Sequence, residues 1–316
     1  MFRLIVGRAA SSFVTLVLIS LVVFIGLELM PGDACTAYLG RDGKGAVLDS
    51  CRERMGLNRP ASDRFIEWGG KILSGDLGTS MQRERPITEI VGWRLRNTLV
   101  LSAVAALAGI PLAILLGVIA GLRREGPLDL FISSTAIVAM TIPEFISATL
   151  LILVFAVSLG WTAGVVTIGY KAPVLDLVAV SVLPAATLTL ILAAHIMRMV
   201  RSSVIDVLES DYVLMARLKG VPWRQIVWRH VVPNSLLPAI SVIGLTIAWL
   251  LGGVVIVESV FNYPGLGRLA VDAVGDRDLP LVQAIALLFG ITYVITNLAA
   301  DLIALLLNPR LRTYRT

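Results

Sequence analysis

Charge is what this 316-residue chain has least of. Asp, Glu, Lys and Arg make up 16% of it against 57% hydrophobic residues, and the mean hydropathy is +0.85. A soluble domain carries about a quarter charged residues, so the balance excludes an ordinary water-soluble fold. Histidine and cysteine number two each, and no Cys-x-x-Cys, His-Glu-x-x-His or Gly-x-Ser-x-Gly occurs. That removes the common zinc, redox and serine-hydrolase arrangements. A Gly-x-x-x-x-Gly-Lys-Ser/Thr loop is missing too, so nothing here cradles ATP phosphates in that way. The formal charge of +5 is spread in short clusters beside apolar runs, with no basic face interleaved with aromatics, which argues against nucleic acid as a partner.

Long apolar runs are what the chain has. Crossing a hydrocarbon core of ~30 Å takes about 20 mostly apolar residues. Uncharged runs of that order extend from Ala9 to Leu27, Asn97 to Leu122, Val231 to Val257 and Leu279 to Ala300. Two more contain one ionisable side chain each: Leu130 to Ala156 with Glu144, and Leu177 to Met197 with His195. The expected fold is therefore all-α and integral to the membrane, with six transmembrane helices. The first run is too long for a removed signal peptide and has no small-residue cleavage site, so it reads as a retained span. Pro111, Pro143, Pro184 and Pro238 fall inside spans that are expected to stay intact, because neighbouring helices can re-satisfy the freed carbonyls.

Lys and Arg set the orientation. They gather at Arg3 and Arg8, at Arg123 and Arg124, at Arg198, Arg201, Arg217, Lys219, Arg224 and Arg229, and at Arg310, Arg312 and Arg315. The short loops on the other side hold Lys171, Arg268 and Arg277. Both termini are thus expected in the cytoplasm. The long segment from Glu28 to Arg96 lies outside, and its mixed charge reads as a small subdomain on the membrane face or as a solvated loop. Within it Ser62, Arg64, Phe65, Trp68, Ile72 and Leu73 have the spacing of a short amphipathic helix. Cys35 and Cys51 both fall here, and are either a disulfide closing a loop of ~15 residues or two free thiols.

The longest polar interruption in the second half runs from Arg201 to Pro238. Val204, Leu208, Tyr212 and Met215 recur at helical spacing and predict one amphipathic helix. Gly220 ends it, and Pro222 opens a second helix with Trp223, Ile226, Val227 and Val231 along one side. In the membrane, Glu144 follows Pro143 near mid-span. A carboxylate there either lines a path for cargo or is satisfied within the bundle.

Asp211, Tyr212, Ala216, Arg217, Lys219, Gly220, Arg229, His230, Asn234 and Pro238 together resemble the cytoplasmic coupling loop of ABC importer permeases, in detail the oligopeptide/dipeptide/nickel family and its first-permease type. Pro31-Gly32-Asp33, Gly75-Asp76-Leu77-Gly78, Pro264-Gly265-Leu266-Gly267-Arg268, Asn297, Asp301 and Asn308-Pro309-Arg310 resemble the same family. The wider family pattern carries a Glu where this chain has Leu214, so no ion pair to the ATPase is expected from that position.

The resemblance implies four parts: residues 1–29 with the first span, an extracytoplasmic subdomain at 30–96, a core permease domain at 97–308 with the coupling loop at 201–238, and a cytoplasmic tail at 309–316. It implies that Asp211, Tyr212, Ala216, Arg217, Lys219, Gly220 and Pro222 meet an ATPase; Pro143 and Glu144 are candidates for the translocation path on the mid-span position of the carboxylate alone, with satisfaction inside the bundle, Pro143 kinking the helix, as the other reading. The resemblance further implies a bacterial inner membrane, a second homologous permease, two ATP-binding subunits that hold ATP and Mg, and an extracytoplasmic substrate-binding protein. No cofactor is expected on this chain. Di- and oligopeptides are the cargo implied, with nickel chelates, oligosaccharides and opine-like compounds also within the family. The competing readings are a self-sufficient ion-coupled transporter and an intramembrane hydrolase.

Overall fold

The computed structural model describes residues 2–29, 34–40, 44–54 and 56–307. Pro31-Gly32-Asp33, Asn308-Pro309-Arg310 and the tail at 309–316 lie outside the described residues. In chain order the helices are α1 (Phe2–Glu28), α2 (Ala34–Leu39), α3 (Ala46–Arg54), α4 (Ala61–Leu73), α5 (Ile87–Leu122), α6 (Pro127–Thr141) and α7 (Glu144–Leu151). There follow α8 (Val174–Val180), α9 (Val182–Leu208), α10 (Asp211–Leu218), α11 (Trp223–Ile226), α12 (Val232–Phe261), α13 (Leu266–Gly275) and α14 (Leu279–Leu307). Two π-helical turns, Ile152–Ser158 and Val227–Val231, continue α7 and α11. Among the described residues the only extended pairing is an isolated bridge between Thr79 and Pro86.

Four helical stretches are long and apolar enough to cross a membrane: Ala10–Glu28, Ile87–Leu122, Val182–Leu208 and Leu279–Ala299. The number rises to six if two broken pairs, Pro127–Thr141 with Glu144–Ser158 and Val254–Phe261 with Leu266–Gly275, each count as one span. The prolines divide. Pro111 and Pro238 sit inside unbroken α5 and α12. Pro143 does not leave its span intact, contrary to the sequence expectation: α6 stops at Thr141, Ile142 is extended, and α7 leaves at 109°. At the break the ring of Pro143 disfavours a helical Ile142, and Pro143 itself takes the N-cap of α7. The run from Leu177 to Met197 is likewise divided at Ser181, and α9 continues to Leu208.

The chain forms two compact units. The first comprises 1–98, 169–171 and 264–294. In it the amphipathic helix expected after Pro60 forms as α4, and Phe65 and Trp68 pack on Phe24 of α1 with ring centroids 5.2 and 6.5 Å apart. Arg64 pairs with Glu28 at 2.5 Å. On the exposed side of α4, Lys71 and then Arg59 hold the Glu67 carboxyl below its ordinary value. Cys35 of α2 and Cys51 of α3 form a disulfide. Their separation of 16 residues is worth about 3 kcal/mol on the chain-entropy model. Replacing both by Ser is therefore expected to lower the denaturation temperature of this unit, measured by thermal unfolding with and without reductant, and to leave the replaced protein insensitive to reductant.

The family-like turns of this unit have physical roles. Asp76 accepts the Gly78 N–H at 2.8 Å between two glycines in left-handed conformation, Gly75 and Gly78. Asn97 donates to the carbonyls of Tyr170 and Pro264, and Thr98 accepts the Leu266 N–H at the start of α13. Asp278, fully buried, accepts from Ser80 Oγ and from the Met81 and Gln82 N–H groups.

The second unit comprises 99–168, 172–263 and 295–316, with α9 at its centre. Leu188, Leu192, Ile196, Met197, Val200 and Val204 are all buried along α9. Facing them on α5, Gly117 and Gly121 have backbone where a side chain would stand: a Cβ on Gly117 would lie 2.7 Å from Val200 Cβ and 2.8 Å from the Met197 carbonyl. Close approach of this kind is how membrane helices gain dispersion contact.

Candidate functional site

The seven residues singled out around Gly220 lie together on one short knuckle in the second unit. Ser210, in extended conformation, is the N-cap of α10, and its carbonyl accepts from Val213 and Leu214. The helix ends at Gly220 in left-handed conformation. Val221 N–H bonds to the Ala216 carbonyl and Gly220 N–H to the Arg217 carbonyl, the two-bond pattern that closes a helix on glycine. Pro222 then takes the N-cap of α11. The guanidinium of Arg217 stands 4.7 Å from the centroid of the Trp223 ring and joins the two helices across the turn.

The predicted single stripe does not exist. Val204 and Leu208 end α9, whereas Tyr212 and Met215 belong to α10, because the chain leaves helical conformation at Ser210. What α10 buries is Val213, at 0% exposure, with Ala216 half-buried beside it. Its outer side carries Tyr212, Leu214, Met215 and Leu218, the last 73% exposed. Asp211, Arg217, Lys219, Gly220 and Pro222 are also exposed. This eight-residue helix thus buries little of itself and leaves four large apolar side chains uncovered. In the second arm Ile226, Val227 and Val231 are buried as expected, while Trp223 is exposed. The arm runs through a π-helical turn directly into α12, where Asn234 Nδ2 donates to the His230 carbonyl at 2.6 Å.

Pro143 and Glu144 lie at the broken corner between α6 and α7. Glu144 opens α7, where the helix dipole favours a carboxylate. Its Oε2 is buried without a hydrogen-bond partner. A cavity of about 170 Å³ in the same unit is lined by apolar side chains including Leu116, Ile132, Ala136, Leu190 and Met197. His195 is half-buried, its Nδ1 2.9 Å from the Ile191 carbonyl and its ring 5.9 Å from that of Trp249.

Sequence reasoning missed one group at the foot of this unit. Asp129, 4% exposed, receives Arg201 Nε at 2.5 Å and Arg201 Nη2 at 2.7 Å. It also accepts the Glu125 N–H at 2.9 Å and Ser133 Oγ at 3.1 Å. Next to it Arg124 pairs with Glu209, the residue that follows α9. The local signal was present, an Asp in the first turn of a helix opened by Gly126-Pro127, but its partner lies 72 residues away.

Among the described residues the secondary structure is helical apart from turns and one isolated bridge, with four to six stretches able to span a membrane. The model of the binding-protein-dependent transport system inner membrane component matches residues 113–313, and that of the N-terminal membrane component of the same systems matches 1–102. The chain belongs to this family, the membrane permease component of ABC importers. It is 35% identical over 312 residues to the glutathione transport system permease protein GsiC of Pectobacterium atrosepticum, covering 99% of both chains. It is 34% identical over 310 residues to the oligopeptide transport system permease protein AppB of Bacillus subtilis, covering 97% of this chain and 98% of that one. In fold it matches the crystal structure of an amino acid ABC transporter with a TM-score of 0.52 at 19% identity, over 69% of this chain and 94% of the other.

Proposed function

We propose that this chain is one of two homologous permease subunits of a bacterial inner-membrane importer for di- or oligopeptides, driven by two ATP-binding subunits and supplied by an extracytoplasmic binding protein. The observation that carries the coupling role is the knuckle: a short helix fixed by Val213 with Tyr212, Leu214, Met215 and Leu218 turned outward. Basic residues flank that face at Arg217, Lys219 and Arg224. An ATPase covering it would grip α10 as a rigid piece, because the Gly220 closure and the Arg217–Trp223 contact tie both arms of the turn. ATP and Mg are held on those subunits. The peptide cargo is supported by the glutathione and oligopeptide systems to which the chain is similar.

The Lys and Arg distribution supports cytoplasmic termini and a cytoplasmic knuckle, and hence six spans in which each broken helix pair crosses once. The segment 30–96 then forms an outer subdomain ahead of a core at 97–308, with 309–316 as the tail. An ion-coupled transporter is not favoured by family membership. In this reading Glu144 lines the path at the Pro143 corner, where its orphan oxygen is available to a peptide ammonium group. Glu144→Gln is expected to lower the transport rate or shift preference among peptides in reconstituted vesicles, and unchanged transport would remove it from the path. The assembly itself is tested by purifying the tagged chain from native membranes in mild detergent. Co-purification of a second permease and of P-loop chains supports the proposal. A stable homo-oligomer that transports without ATP defeats it.

A further inference from the structure

We propose that the Asp129–Arg201 pair is a positioning joint: it makes the foot of α6 follow α9 when the coupling knuckle is displaced. The inference rests on the coupling reading above and adds how the displacement spreads. α10 follows α9 after two residues, so a force on the knuckle reaches α9 directly, as it reaches α12 through α11. From there it has two routes within the unit. The first is steric. Gly117 and Gly121 bring the α5 backbone against Val200 and Val204, so α5 cannot slide past α9 without collision. The second is polar. After α5 the chain turns at Arg123 to Gly126, with Glu125 in left-handed conformation, and re-enters the helical state at Pro127.

Residues 123–126 of that turn bury no side chain, whereas α6 itself buries Asp129 at its start and Ile132 and Ala136 further along. Asp129 holds the Glu125 N–H at the N-terminal end of α6 and accepts the two-pronged guanidinium of Arg201 on α9. Four donors converge on this carboxylate, which is 4% exposed. A planar fork on a saturated carboxylate resists rotation as well as separation, unlike a single long-armed contact. Arg124 with Glu209 adds an outer, solvated pair of the same sense. At its far end α6 meets the Pro143 corner and Glu144, so what moves its foot moves that corner. No other ion pair in the described part of this unit links α6 to α9.

The test uses the assembled complex with its ATPase subunits, and ATP with vanadate as the probe. The native cysteines are joined to each other, so introduced thiols take spin labels selectively. One label pair at Leu130 and Leu245 reports α6 against α12, and another at Leu190 and Leu245 reports α9 against α12; all three positions are exposed. In the otherwise native chain ATP with vanadate is expected to shift both distances. In Asp129→Asn the α9 shift persists while the α6 shift falls to less than half, and ATP-driven transport falls about tenfold, a usual size for coupling between sites. Arg201→Lys keeps the charge but loses the fork and is expected to fall between the two.

An unchanged α6 shift in Asp129→Asn overturns the proposal, as does a native chain in which α9 shifts and α6 does not. Failure of both variants to assemble assigns the pair to folding and overturns it as well. Absence of both shifts in the native chain overturns the proposal by a different route, since it marks failure of the coupling reading itself.

Discussion

Aspartate at Met215 and Leu218 together is expected to reduce ATP-driven transport at least tenfold while the permease accumulates normally in the membrane. The two effects separate because both side chains are exposed, 52% and 73%, and contribute little to the fold of the unit. Binding energy at an interface concentrates in a few large apolar side chains that become desolvated on docking. Losing one such anchor typically costs about 2 kcal/mol or more, which is a factor of roughly 30 in affinity. Placing a carboxylate in the covered face adds the cost of burying a charge without a partner. Val213→Asp is the contrasting change. It is buried, so it is expected to lower the amount of folded permease as well as its activity. Measuring both quantities, uptake per milligram of membrane protein and permease by immunoblot, distinguishes a docking face from a packing face.

Gly117→Leu is expected to prevent accumulation of the folded permease altogether. The Cβ alone would stand 2.8 Å from a backbone carbonyl of α9, which no rotamer change relieves. Even Gly117→Ala is expected to cost about 1–3 kcal/mol by overpacking. The check is thermal inactivation in detergent, where Gly117→Ala should lower the midpoint. Gly7, with nothing within 4 Å of an added Cβ, serves as the neutral control. A Gly117→Ala protein as stable as the native one would mean that α5 and α9 are not packed backbone to backbone.

These expectations come from features of unequal legibility. The long helices were visible because crossing hydrocarbon demands length and apolarity, and α12 and α14 begin within one residue of the runs that predict them. The closure at Gly220 was visible for a related reason, since a left-handed residue and the proline two positions later are local signals. Pro143 differed from Pro111 and Pro238 in outcome although the residue type is the same. What separates them is the tertiary surrounding that either restores or abandons the helix, and the chain alone does not display it. The stripe through Val204, Leu208, Tyr212 and Met215 misled because helical spacing survives by chance across the break at Ser210. Asp129 with Arg201, and Asp278 with Ser80, join residues 72 and 198 positions apart. Nothing local marks such partners, so these anchors emerge only when the helices are in place.

The central claim is that α10 is where ATP-binding subunits grip this permease, and photo-crosslinking from that helix tests it most directly. Leu218→Cys, the only free thiol in a chain whose own cysteines are bonded, is labelled with a benzophenone maleimide in the assembled complex and irradiated. Val157→Cys, exposed beyond α7, is treated in parallel. The account predicts an adduct between this chain and the P-loop-bearing subunit from position 218 and none from 157. Irradiation that yields no such adduct from 218, in a complex that still hydrolyses ATP and transports, would contradict it.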